Sequence, residues 1–362
     1  MISLTLYYVL MALCGLGSVV AVFLAIVERD MLKAVLFSAI QSTLYAFLYY
    51  LLMAPDIVLT YIPVSVGLYP AVILFLIKKT ERYEDVELKK GVLWTTGLLA
   101  LFFVIATAAV IAGRGIGPIP PPDVRFLAGW YLATTFNPEV HLISAMAPEG
   151  VTSIVWDYRG LDTVFETAVL FLAIIASVAL MRGIEHKGVY DEFKHGMTLI
   201  GKTITKIIVP LIIGVGISIA LHGHLTPGGG FQGGSALAVA PLLVLVVFSK
   251  YFFDKVGFTK TKALAIRSSG LLGVGITSFA VLIAALLLHK SAYILQNQPR
   301  VGAPLGFPWK GIDGVLLGGS LLSFNACEAM AVCAGFVILF LLLAIPESYV
   351  KSVLAGGEEH EH

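Results

Sequence analysis

Charge is the scarcest resource in this sequence. Asp, Glu, Lys and Arg make up 13% of the 362 residues and hydrophobic residues 58%. A soluble domain carries about 25% charge, so a water-soluble globular fold is excluded and the chain reads as a polytopic membrane protein. Net charge is nearly absent too. The 24 basic and 23 acidic side chains leave +1, which offers nucleic acid no basic surface. The three cysteines, Cys14, Cys327 and Cys333, lie in apolar runs without any CxxC pair, which argues against an iron–sulfur or zinc centre. PGGGFQGG, residues 227–234, lacks the Gly-Lys-Ser/Thr ending of a P-loop. Nothing resembles a catalytic triad, haem ligation or a nucleotide site, so the chain has no evident enzyme chemistry and no cofactor of its own. The first apolar run is too long for a signal-peptide core and lacks a small-residue cleavage site, so it is expected to be a retained helix.

What is there is hydrophobic length. About nine runs reach the roughly 20 residues that a membrane-spanning helix needs. They are Ser3–Val27, Leu32–Met53, Ile57–Ile77, Gly91–Ala112, Leu161–Met181, Leu199–Leu221, Phe231–Phe248, Ser268–Leu288 and a last span within Ile312–Ile345. The expected fold is therefore all-α. Pro63 and Pro70 should kink the third span. The last run exceeds one membrane thickness, and a break is expected near Gly318 and Gly319. FLAGWYLATTF, residues 126–136, suits a short interfacial helix, and VTSIVW, residues 151–156, a re-entrant piece. Most of the 24 Lys and Arg fall on one side if the N-terminus is outside, which places the C-terminus in the cytoplasm. Three segments are expected: 1–90 with three helices, 91–196 with two helices and a long external loop, and 197–362 with four helices.

Acids inside the spans are the functional signal. Asp162 and Glu166 are one helical turn apart, and Thr167 to Met181 carries no charge, so Glu166 sits one to two turns into a span. An ionisable group there costs about 2.5–3.5 kcal/mol unless it faces protein or water, and such groups commonly serve ion movement. The bland alternative is a carboxylate that only pairs with a neighbouring helix. Glu328 is the deepest acid, in the middle of the last run with Asn325 one turn before it. It suits a proton or cation relay, or a single interhelical hydrogen bond. Asp56, behind Pro55, suits either a helix cap or an ion role. His141, Asp157, His222 and His224 fall at the same expected outer face; ordinary loop polarity accounts for His141 and Asp157. Within PGGGFQGG, the pairs Gly229/Gly233 and Gly230/Gly234 have GxxxG spacing. Close helix packing is the stronger reading, and anion binding at a helix N-terminus the weaker.

At these motifs the sequence resembles a known family. ERDMLKAVLFSAIQS (28–42) and APDIVLT (54–60) resemble the D-type subunit of archaeal membrane-bound hydrogenase, and WDYRGLDTVFETAVL (156–170) its E-type subunit. GHLTPGGGFQGG (223–234) and GAPLGFPWKGID (302–313) resemble the B-type subunit of the Mrp sodium/proton antiporter, called F in the hydrogenase. The chain thus resembles three membrane subunits of the Mrp-type module fused in family order. That module also occurs in a membrane-bound sulfur reductase. The resemblance implies that Asp162 and Glu166 belong to the ion-conducting part, and that His224 and Gly228, Gly229, Gly230, Gly233 and Gly234 are family features. One departure stands out: Tyr61 occupies the place where the family pattern has Glu.

The reading that follows is a multi-pass plasma-membrane subunit of a respiratory complex, taking part in sodium/proton translocation. Redox chemistry would lie on partner subunits, beside other antiporter-like subunits in the same bilayer. Asp162, Glu166, Glu328, Asp56 and His224 are the candidate ion-handling residues, and Na+ and H+ the transported species. A non-conducting scaffold of the membrane arm and a subunit of a free-standing antiporter are the rivals.

Overall fold

The computed structural model describes residues 4–77, 126–184 and 197–345, with isolated positions at 94, 97, 98, 101, 102, 105, 350, 351 and 353. Among the described residues the chain is helical, without a strand, and eight helices are long and apolar enough to cross a membrane. Most of the expected fourth span (91–112) and the basic loop before it lie outside the described residues.

α1 (Leu4–Val27) and α2 (Met31–Leu51) form a hairpin. Its turn is set by Asp30, whose carboxylate accepts the Leu32 N–H at 3.0 Å and caps α2. α3 (Pro55–Ile77) is irregular in its middle. A π-helical stretch, Ile62–Leu68, accommodates the N–H missing at Pro63. α4 is the aromatic helix Phe126–Thr135. α5 (Gly150–Ser153) runs into a π-helical turn, Ile154–Tyr158, and then α6 (Gly160–Leu180) begins. α7 (Leu199–Leu221), α8 (Gly230–Phe248), the short α9 (Lys250–Val256), α10 (Lys260–Leu287) and α11 (Ser320–Leu343) complete the order.

α10 starts well before the expected Ser268. Thr259 caps it, and Arg267, just before the expected start, is buried inside the helix. Its guanidinium lies 4.7 Å from the Phe171 ring centroid on α6, and this cation–π contact lets a charge sit among apolar neighbours. The expected break before the last span is present. Gly318 (φ +60°) and Gly319 (φ +63°) turn the chain, and the Asn297 side chain accepts the Ser320 N–H at 2.9 Å, capping α11 from a distant loop.

α11 is the centre of the bundle. Its span is 61% buried, against 11% for α6 and 17% for α7. It packs on α3, α6, α7, α8 and α10. The glycines of α8 make that packing possible on two sides at once. A Cβ at Gly234 would stand 2.8 Å from the Ala329 carbonyl oxygen of α11, and one at Gly233 2.6 Å from the Ala220 backbone nitrogen of α7. Gly233 thus faces α7 and Gly234 faces α11, and both approach to backbone contact. Beneath them lies an apolar core that includes Leu68, Ile174, Ala238, Leu242, Ile338 and Phe340. Nearer the glycine loop, Trp156 stacks on Phe324 with centroids 4.3 Å apart, between the turn after α5 and α11.

Loops close one end of the bundle. Asn297 donates to the Ala145 carbonyl at 2.9 Å, and Arg300 donates to both carboxylate oxygens of Asp157 at 2.9 and 2.7 Å. The Asp157 side chain is 2% exposed. Burial pushes its carboxyl up to about 6, although the Arg300 charge and hydrogen bonds pull the other way. The native state therefore holds this proton more tightly than the unfolded chain. The stability it contributes is full below the ordinary value of 3.8 and is lost as pH rises through about 6. Asp157→Asn should flatten that slope in thermal unfolding of the purified complex between pH 4 and 7. Arg300→Met should cost about 3–5 kcal/mol at neutral pH, where it strands a buried carboxylate, and less at pH 5. Identical pH slopes for wild type and Asp157→Asn would count against a buried, proton-holding carboxyl at this position.

Candidate ion-translocation site

The glycine loop ties together three stretches that are distant in sequence. The Gly228 N–H donates to Asp56 Oδ1 at 2.9 Å, and the Gly228 carbonyl accepts from the Thr152 hydroxyl at 3.0 Å. Asp56 comes from α3, Thr152 from α5 and Gly228 from the loop before α8. Gly228 (φ +150°) and Gly229 (φ +155°) occupy backbone conformations that favour glycine. Glu149 lies beside this junction, buried, with its carboxylate capping α5 at the Thr152 N–H and its own N–H donating to the His224 carbonyl at 3.2 Å. Burial, reinforced by the Asp56 charge, holds the Glu149 carboxyl above the ordinary range.

Beside that junction is a cavity of about 210 Å³ between α3, α5, α6, α8 and α11. Glu166 of α6 and Glu328 of α11 both line it, together with Thr60, Thr163, Gln232 and Asn325. The two carboxylates are close enough to interact electrostatically. Glu328 is buried and receives the backbone N–H of Phe231, in the first turn of α8. That is the end of a helix where N–H groups lack intrahelical partners and where an anion is favoured. Glu166 lies on an exposed face of α6, so the cavity opens sideways at the surface of this chain. Asn325 is fully buried, and neither its Oδ1 nor its Nδ2 has a hydrogen-bond partner among the described residues.

The other sequence candidates take different partners. Asp162 is exposed and held by Arg159, whose Nε donates to it at 2.6 Å; it is not among the cavity-lining residues. Asp56 is buried on the loop N–H of Gly228, outside the cavity lining. His224 is buried with Nε2 3.1 Å from the Leu316 carbonyl oxygen, and burial pushes its imidazole below the ordinary value. His222 lies by the Ser218 carbonyl, and the side chain of His141 is outside the described residues. Tyr61, where the family pattern has Glu, packs its ring against Tyr49 and Tyr45 of α2, at centroid distances of 5.4 and 6.4 Å. Gly229 and Gly230 line the cavity while Gly233 and Gly234 serve packing. Sequence reasoning did not single out Gln232, Thr60 or Thr163. Gln232 carried a signal, as the only polar side chain inside the glycine motif.

Two carboxylates in so small a space cannot both carry an unbalanced charge at low cost. A proton or a cation beside them would lower that cost.

Comparison with known proteins shows what the chain is similar to. Residues 200–338 match a domain related to the MnhB subunit of a Na+/H+ antiporter, and residues 16–82 match the MbhD family of MBH subunits. An uncharacterized protein of Methanocaldococcus jannaschii is 27% identical over 245 residues, covering 62% of this chain and 87% of its own length. A second from the same organism is 28% identical over 80 residues, covering 22% of this chain and 96% of its own. In fold, the chain is similar to the Mrp complex from Dietzia sp. DQ12-45-1b, with a TM-score of 0.71, 19% identity and 92% of this chain covered. It spans only 35% of that chain's length. It is also similar to the membrane-bound sulfane sulfur reductase, an archaeal respiratory membrane complex, with a TM-score of 0.51 and 23% identity. That match covers 70% of this chain and 100% of the other.

Proposed function

We propose that this chain, which carries an MnhB-related domain and an MbhD domain of the Mrp-type antiporter module, is a multi-pass membrane subunit taking part in sodium/proton translocation. The observation that carries the reading is the cavity shared by Glu166 and Glu328. It brings the two acids that sit deepest in apolar helices into one small space lined by hydroxyl and amide groups. The chain acts as a transporter subunit of a plasma-membrane complex, with redox catalysis assigned to partner subunits. Three fused segments, 1–90, 91–196 and 197–362, correspond to the D-, E- and B-type parts.

The side opening at Glu166 supports a partner. A carboxylate on an exposed face of a spanning helix is costly against lipid and needs protein or water over it. An antiporter-like membrane subunit covering the Glu166 face of α6 meets that need and offers the ion its next step. Asp162, ion-paired at the mouth of α6, tunes the local charge in this scheme rather than passing ions itself.

The test is Glu166→Gln, which keeps shape and hydrogen bonding and removes titration. The complex is expected to assemble, to keep redox turnover with an artificial acceptor, and to lose most sodium-dependent pumping in sealed vesicles. Glu166→Asp should keep part of it. Pumping at the wild-type rate by Glu166→Gln would leave this chain as a scaffold of the membrane arm.

A further inference from the structure

We propose that Asn325, together with Gln232 and Glu328, forms a binding site in this chain for a dehydrated sodium ion; the proposal rests on the ion-translocating reading of the cavity and names what it binds. Asn325 comes first because it is the anomaly. Its amide is 0% exposed and without a hydrogen-bond partner among the described residues, on a helix whose other polar groups are paired or at its ends. Leaving a buried polar group unmade costs about 1–3 kcal/mol, so an amide with only a packing role would have a partner or be apolar. This one faces the acidic cavity.

The oxygens converge on one place. A Cβ at Gly229 would lie 2.8 Å from Gln232 Oε1 and 3.7 Å from Asn325 Oδ1. A Cβ at the next residue, Gly230, would meet the Glu328 carboxylate. Two consecutive missing side chains thus leave a cradle, and three side-chain oxygens from α8 and α11 border it. Thr60, Thr163 and Glu166 line the same cavity. The side-chain oxygens there come from carboxylates, amides and hydroxyls, the ligand set of a hard cation. No group of three His, Cys, Asp or Glu among the described residues fits a transition metal.

Exchange with a single proton calls for a monovalent ion. Glu328 already gives one oxygen to the Phe231 N–H, and Glu166 lies at the open side. One Na+ between the two acids leaves a single negative charge, as one proton would. The ion and the proton therefore exclude each other at the pair, while Asn325 and Gln232 ligate only the ion. In this arrangement the glycine motif has two duties: Gly233 and Gly234 pack helices, and Gly229 and Gly230 leave room for the ion.

The experiment is thermal unfolding of the purified intact complex, titrated with NaCl against KCl and choline chloride at constant ionic strength. Wild type is expected to gain stability with Na+ in a saturable way and not with K+ or choline, as binding to the native state requires. Asn325→Val should abolish that gain, and Asn325→Asp, which keeps the oxygen, should retain it. In vesicles Asn325→Val should raise the Na+ concentration for half-maximal pumping tenfold or more. Gln232→Leu reads the same site from α8 should Asn325→Val fail to assemble. Equal stabilisation by Na+ in wild type and Asn325→Val, or equal effects of Na+, K+ and choline on wild type, would overturn the proposal. If that happens while Glu166→Gln still stops pumping, the carboxylate pair remains and only the sodium site falls. If Na+ protects as described while Glu166→Gln pumps normally, the site stands without the translocation reading.

Discussion

Gly234→Leu is expected to remove the complex from the membrane. A Cβ at this position already stands 2.8 Å from the Ala329 carbonyl oxygen and 2.8 Å from Val332 Cβ, so even Ala forces α8 and α11 apart. Backbone cannot yield as a flexible side chain does. Overpacking by a methylene or two costs about 1–3 kcal/mol, and Leu adds more bulk than that against the most buried helix of the bundle. Gly234 is not among the cavity-lining residues, so the loss would report packing rather than ion binding. Gly230→Leu should fail as well, but it also fills the cavity and meets Glu328, which mixes the two causes. Gly214→Leu on α7 is the control: a Cβ there meets nothing within 4 Å in this chain. The check is the amount of intact complex in solubilised membranes on a native gel. Wild-type amounts with Gly234→Leu would mean that α8 and α11 do not approach as described.

Glu328→Gln should leave the complex assembled and reduce sodium-dependent pumping at least tenfold, with redox turnover on an artificial acceptor retained. Gln keeps an oxygen for the Phe231 N–H, so the capping of α8 survives. It cannot take up a proton, and it brings no charge to neutralise a cation. Loss of assembly is not expected, because removing a buried charge whose neighbour is another carboxylate relieves repulsion rather than stranding a partner. Preserved pumping would reduce Glu328 to a helix cap. A complex that assembles without pumping would place this residue in the ion path.

Hydropathy made most of the spans legible. α1, α2, α6, α7 and α8 lie close to where apolar length and bounding charges place them, and in α3 the irregularity at Pro63 is a π-helical stretch. Length alone said nothing of which helix is central. Lipid and protein interior favour the same residues, so in sequence the two acids at its front mark out α6, while α11 is the helix the bundle is built around. The start of α10 was missed because Lys260, Lys262 and Arg267 look like loop residues until Phe171 is seen beside the last of them. At the site, Glu166 and Glu328 could be picked out singly, as acids in apolar runs. Their meeting in one cavity depends on α6 packing against α11, which periodicity does not encode. Asp162, Asp56 and His224 were candidates beside them in sequence, and their partners in the fold set them apart: a surface arginine, a loop N–H and a carbonyl. Asn325 was visible only as a neighbour of Glu328; its missing partner is a property of the folded chain.

Competition of Na+ and H+ for one pair of carboxylates is the central claim, and proton release on Na+ addition tests it most directly. The purified complex, in weakly buffered solution near neutral pH, is mixed with NaCl and the pH change is followed, with KCl as the control. Competition predicts about one proton released per sodium ion bound, no release with K+, and loss of the signal in both Glu166→Gln and Glu328→Gln. Sodium binding without proton release, or release that persists in both variants, would contradict it.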